Sequence, residues 1–159
     1  MSDQLAKVGF MINAEGYSKS PVIRGTIQNE GCYVQVQVGP LVEGMGESLI
    51  ERSYSAVALI DTGAATSIIS RRAVQALGLT PSGVSGMTTA HSKGLPVEAP
   101  HHRVWVVFEN GSAVGTTAVE VDFGARDDLQ FMIGRDVLDF GRFVYRGKQN
   151  EWILDFSAS

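Results

Sequence analysis

The sequence predicts an all-β fold with one or two short helices, and three observations support this. Eighteen glycines stand in 159 residues, above the usual ~7%. No two are adjacent, as expected of turn formers spaced between strands. Apolar residues alternate at period two, most clearly in Tyr33-Val34-Gln35-Val36-Gln37-Val38, the pattern of a half-buried strand. Only one segment carries both helix start and stop signals.

The elements follow in order. Met1 to Ser20 has mixed patterning and reads as an arm or a weakly held first strand. Val22 to Ile27 is extended, and Tyr33 to Val38 is a strand closed by Gly39-Pro40. Leu41 to Ser53, with two glycines and three glutamates, reads as an exposed connection. Tyr54 to Ile60 is more continuously apolar, hence more buried. In Ser70-Arg71-Arg72-Ala73-Val74-Gln75-Ala76-Leu77-Gly78 the serine caps a helix N-terminus. Ala73, Val74 and Leu77 share one face of that helix, and Gly78 fits the C′ position. Met87 to Ala90 and Leu95 to Ala99 flank a polar tip, His91-Ser92-Lys93-Gly94, as a hairpin. Arg103 to Glu109 and Ala113 to Phe123 are strands around Asn110-Gly111, a type I′ turn signal. Asp136 to Phe140 reads as a short helix, then Phe143 to Tyr145 and Trp152 to Phe156 as closing strands.

Size and composition exclude several classes. A chain of this length fits one domain and buries about two thirds of its unfolded surface, so it needs no disulfide or metal to fold. The net charge is −4, and Arg71-Arg72 is the only adjacent basic pair, so no phosphate-binding footprint exists and nucleic acid is not an expected partner. No basic-then-apolar leader and no apolar run of about 18–20 residues are visible, so no membrane partner is expected. Lone Cys32 forbids an internal disulfide, and a cytoplasmic location is the default expectation. His91, His101 and His102 lack metal-ligand spacing, so no metal or other cofactor is expected. Two Asp-Phe-Gly triplets, at 122 and 139, spell a kinase motif, but no nucleotide loop or His-Arg-Asp accompanies them.

Ala58-Leu59-Ile60-Asp61-Thr62-Gly63-Ala64 places an acid directly after a buried strand. Such a carboxylate is costly to desolvate unless hydrogen-bonded or sharing a proton. Asp-Thr-Gly as a tripeptide is compatible with an ordinary turn. Its flanks say more. The apolar strand before it and Thr66-Ser67-Ile68-Ile69-Ser70 after it resemble the active-site segment of the retropepsins, the retrovirus-type aspartic proteases. Phe131-Met132-Ile133-Gly134-Arg135-Asp136-Val137-Leu138 resembles that family's second motif, and the closing hairpin resembles bacterial relatives. The likeness runs from about Tyr33 to Phe156.

The resemblance implies a single-lobe, closed acid-protease barrel with a flap hairpin, comprising residues 21–159. Residues 1–20 would be an N-terminal arm or pro-segment. It implies catalysis by Asp61, supported by Thr62, Gly63, Ala64, Ile133, Gly134 and Arg135. Thr88, Thr89, Ala90, His91 and Ser92 would belong to the flap over a protein or peptide substrate. The chemistry needs two carboxylates around one water, and the chain has one Asp-Thr-Gly and no Asp-Ser-Gly. A homodimer would therefore be required for activity. Ala64 stands where pepsin-like enzymes commonly have a serine able to bond the carboxylate, which predicts a less acidic pH optimum. Ala65 stands where retroviral enzymes often have an acid that pairs with the second-motif arginine, so Arg135 needs another partner. The alternative function is a catalytically weak or silent domain of this fold, serving as a dimerisation or peptide-binding module.

Overall fold

The computed structural model describes residues 8–10, 21–29, 31–41, 52–88 and 93–157. Among the described residues, eleven strands form one continuous hydrogen-bonded system with two short α-helices. The strands are β1 (Val8–Phe10), β2 (Val22–Gln28), β3 (Gly31–Pro40), β4 (Tyr54–Ile60), β5 (Ile68–Ser70) and β6 (Gly83–Met87). They continue with β7 (Val97–Phe108), β8 (Ser112–Val121), β9 (Phe131–Ile133), β10 (Arg142–Arg146) and β11 (Glu151–Asp155). The helices are α1 (Arg71–Leu77) and α2 (Arg135–Leu138).

Six strands close on themselves in the order β3, β4, β9, β5, β8, β7 and back to β3. Closure removes the unpaired edges that an open sheet would expose. The sheet is mixed: β4 runs parallel to β9 and β5 parallel to β8, while the other barrel pairs are antiparallel. Outside the ring, β2, β11 and β10 extend from β3, β6 extends from β7, and β1 lies along β8 from Val114 to Ser112.

Period-two alternation decides what lies inside. Val34, Val36 and Val38 of β3 face Ala56, Ala58 and Ile60 of β4, and Val104, Val106 and Phe108 of β7 complete that wall. Phe131 and Ile133 plug the barrel from β9, and α1 covers one end with Ala73, Val74 and Leu77. The same core continues between β2 and β11 through Ile23, Trp152 and Leu154. Trp152 is buried directly over Gly25, where an added Cβ would lie 2.3 Å from the indole. Only glycine permits that approach.

The helix reading holds closely. The Ser70 side chain accepts from the Ala73 N–H, and Gly78 ends α1 in the left-handed region at φ 59°. Gly39-Pro40 ends its strand as expected, Pro40 being the last residue of β3 and still paired with Val104. Two expectations need correction. The segments expected at 95–99 and 103–109 are parts of one twelve-residue strand, β7, with Pro100 inside it. Asn110-Gly111 is not a type I′ turn, which needs positive φ at two successive residues. Only Gly111 has it, at 87°, and its N–H bonds the Phe108 carbonyl in a three-residue loop. The exposed connection expected at 41–53 lies mostly outside the described residues.

Candidate active site

β4 delivers Asp61. Ala56, Ala58 and Ile60 point into the barrel, so Val57, Leu59 and then Asp61 fall on the opposite face, each half-buried. The turn that follows is braced at every step. The Asp61 N–H donates to the Ile133 carbonyl at 2.9 Å, continuing the parallel β4–β9 ladder by one bond. The Gly63 N–H donates to Asp61 Oδ1 at 2.8 Å, and the Ala64 N–H to the Asp61 carbonyl at 3.2 Å. One carboxylate oxygen is thus held by the turn, while the other has no partner among the described residues.

The second motif forms the opposing half. Arg135 N–H donates to the Ala64 carbonyl at 2.9 Å and Asp136 N–H to the Ala65 carbonyl at 3.3 Å. Gly134 packs against the 66–67 backbone: an added Cβ would sit 2.7 Å from the Thr66 carbonyl carbon and 2.9 Å from the Ser67 nitrogen. Arg135 finds its partner in the turn itself. Its Nη1 donates to the carbonyls of Thr62 at 3.0 Å and Gly63 at 3.4 Å. Main-chain oxygens replace the acid that Ala65 lacks.

A polar group not foreseen from the sequence locks the two halves together. Asp136 Oδ1 accepts from the Ser67 hydroxyl at 2.8 Å, Asp136 Oδ2 accepts from the Thr116 hydroxyl, and Ser67 Oγ in turn accepts the Gly134 N–H at 3.0 Å. Ser67 is fully buried and Thr116 nearly so. One carboxylate ties the turn, α2 and β8 into a single unit. Nothing in local spacing signals this, because Ser67 and Asp136 stand 69 residues apart.

Strands β6 and β7 pair from Gly83 with His101 to Met87 with Val97, and of the expected flap segment only Thr88 is described. Thr88 is exposed beyond the end of β6. Thr89, Ala90, His91 and Ser92 lie outside the described residues. Lys93 and Gly94 turn the chain with φ of 49° and 80°. The other histidines serve local contacts. His101 Nδ1 lies 2.5 Å from Ser85 Oγ, and buried His102 Nε2 lies 2.9 Å from Glu120. Among the described residues no three His, Cys, Asp or Glu side chains converge as a metal site. Burial pushes the Cys32 thiol pKa up, which disfavours the thiolate a nucleophile needs. No described helix is long and apolar enough to cross a membrane.

A closed six-strand barrel with an acid-bearing turn cross-braced by a Gly-Arg-Asp segment defines the acid-protease class. The chain belongs to the family described as Aspartyl protease, which matches residues 51–137, the whole first motif and all but the last residue of the second. Its fold is retropepsin-like. It is similar to a retropepsin-like aspartic protease from Rickettsia conorii, with TM-score 0.56 and 16% identity, covering 95% of this chain and 93% of that one. EIAV protease, solved with the inhibitor HBY-793, matches at TM-score 0.46 and 19% identity, over 70% and 88% of the two chains. The retroviral protease-like domain of Ddi1 from Leishmania major matches at TM-score 0.43 and 17% identity, over 74% and 83%. Among curated protein sequences no relative matches.

Proposed function

We propose that the chain is an aspartic endopeptidase whose active site is assembled by two copies, each contributing one Asp61. The observation that carries this reading is the setting of Asp61. It is a half-buried carboxylate with one oxygen held by Gly63 and the other without a described partner, in a turn braced from β9 and α2. A braced turn is what preorganised acid–base chemistry needs. One chain supplies one such carboxylate, and the chemistry of this class uses two.

The mechanism is that of aspartic proteases generally. One Asp61 carboxylate removes a proton from a water held between the pair, and the water oxygen attacks the peptide carbonyl carbon. The other Asp61, protonated, donates to the carbonyl oxygen, giving a gem-diol. The Asp61 that took the water proton then gives it to the amide nitrogen while the other takes a proton from a gem-diol hydroxyl, so the C–N bond breaks to an acid and an amine and the pair again holds one shared proton. Gly134 and Arg135 act by holding the turn, Ile133 by anchoring its start. The β6–β7 hairpin, with Thr88 at its described end, closes over the substrate as the flap. Residues 21–159 form the protease domain. The pairing of β1 on β8 supports reading residues 1–20 as an arm.

The test is cleavage of casein or a peptide pool by the wild-type chain and by Asp61→Asn. Loss of cleavage by at least about a thousandfold is expected when a group acting in the chemical step is removed. Equal cleavage by the variant overturns the assignment.

A further inference from the structure

The hydrogen-bonded path of strands ends at β6 and at β10. Strand β6 belongs to the hairpin read above as the flap. Strand β10, Arg-Phe-Val-Tyr-Arg, pairs with β11 alone among the described residues, and its Tyr145 is 61% exposed. It also stands near the candidate active site. Helix α2 begins at Arg135, whose side chain grips the Asp61 turn, and the chain enters β10 at Arg142. Three helical rises and four extended residues between them span at most about 19 Å.

The direction of the β10 backbone groups follows from the neighbouring ladder. The Phe156 N–H donates to the Pro21 carbonyl and the Ile27 N–H to the Asn150 carbonyl, both at 3.1 Å. These bonds flank the pairs Asp155–Val22 and Glu151–Thr26, which are therefore the non-hydrogen-bonded pairs of β11 with β2. Glu151, Ile153 and Asp155 thus turn their backbone groups the other way, to Arg146, Val144 and Arg142 of β10. By alternation the N–H and C=O groups of Phe143 and Tyr145 point out to the open edge.

We propose that β10 is the seam through which two copies of this chain join, each β10 pairing antiparallel with the other about a two-fold axis at Val144. Phe143 of one copy then faces Tyr145 of the other as a hydrogen-bonded pair, and the symmetry repeats it, giving four backbone bonds. Those two pairs are also aromatic cross-strand contacts, a stabilising combination. The occupant is a second copy because the edge is its own complement and because the proposed site lacks one Asp61. Arg142 would stand opposite Arg146, which weakens the join, although Asp155 at 3.2 Å and Glu151 at 3.3 Å already hold these two side chains. A reversible dimer follows. This inference rests on the two-copy reading above and adds the surface that brings the copies together.

Two variants test it. Across the axis the Val144 Cα atoms would lie about 4.5 Å apart, within disulfide range. Oxidised glutathione should therefore link Val144→Cys chains at least about tenfold faster than Val84→Cys chains, whose cysteine would be exposed on β6. Tyr145→Pro removes an outward N–H and none that β11 uses, a change that an edge strand tolerates. By sedimentation its dimer dissociation constant should rise about tenfold or more, the worth of two lost hydrogen bonds, with an unchanged circular dichroism spectrum. Should that variant lose its fold, the linkage rates alone decide. Equal linkage rates, a dimer indifferent to Tyr145→Pro, or a chain that stays monomeric overturns the seam. Casein distinguishes the two readings. Dimers linked at 144 that cut nothing leave the seam standing and sink the protease reading, whereas cleavage by Val144→Cys chains that do not link overturns the seam alone.

Discussion

Gly134 shows how one atom's worth of space supports the candidate site. Its backbone is extended, so conformational freedom is not the reason for glycine there; proximity is. Main-chain atoms of Thr66 and Ser67 stand where a side chain would go, and main chain gives way less easily than a flexible side chain. Gly134→Ala is expected to destabilise the fold by about 1–3 kcal/mol, the range for overpacking. Because the displaced backbone leads directly from the Asp61 turn, kcat should fall more than stability alone explains; equal activity per folded molecule would contradict this. At the other end of the chain, Asp155 accepts from the Ser157 hydroxyl, the Ser157 N–H and Arg142. These contacts, the Ser157 hydroxyl foremost, hold its pKa below the ordinary value of 3.8. The sign follows from linkage: a depressed folded-state pKa stabilises fully above the unfolded value and is lost as pH falls through the folded one. Urea midpoints should therefore decline below about pH 4, and Asp155→Asn should decline less steeply over that window. Parallel curves for the two proteins would contradict the assignment.

Helix α1 is only seven residues long, too short to persist on propensity, so its ends matter. Ser70 Oγ accepts the Ala73 N–H at 3.0 Å and also meets Gln130 Oε1 at 2.5 Å, linking the cap to the segment before β9. Ser70→Ala is expected to cost about 1–2 kcal/mol, from the lost cap and the buried amide left without its donor. Denaturant unfolding would register it as a lower midpoint with unchanged slope. Local signals located this helix to the residue, because capping chemistry is written in adjacent positions. The three-residue strands β5 and β9 carried no such signal. Too short for any period to register, they exist because β4 and β8 offer them ladder partners. For the same reason β7 absorbed Pro100: the strand's hydrogen bonds to β6 and β8 outweigh a local break that sequence would place there.

At the scale of the whole molecule, the barrel is complete in one chain while the proposed active site is not. Every described strand of the ring finds both neighbours within the monomer, so closing the barrel would not require a second copy. Catalysis would. Sedimentation across a concentration series should show a monomer–dimer equilibrium, shifted toward dimer by a statine-type transition-state mimic that binds only the paired site. Dimers that fail to bind the mimic would favour a silent binding module; activity that stays proportional to a strictly monomeric species would overturn the two-copy site.

The sequence by itself determined the all-β class, the cap and stop of α1, and the two motifs that name the family, because each is set by residues next to one another in the chain. It also isolated Asp61 as one acid without a second copy. Only the tertiary structure decided what holds that acid in place. Arg135 reaches the carbonyls of the turn it braces, and Asp136 gathers Ser67 and Thr116 from distant elements. Those relations depend on which strands become neighbours when the barrel closes. A one-dimensional pattern records the face a residue is on, but not what the closed sheet places opposite it.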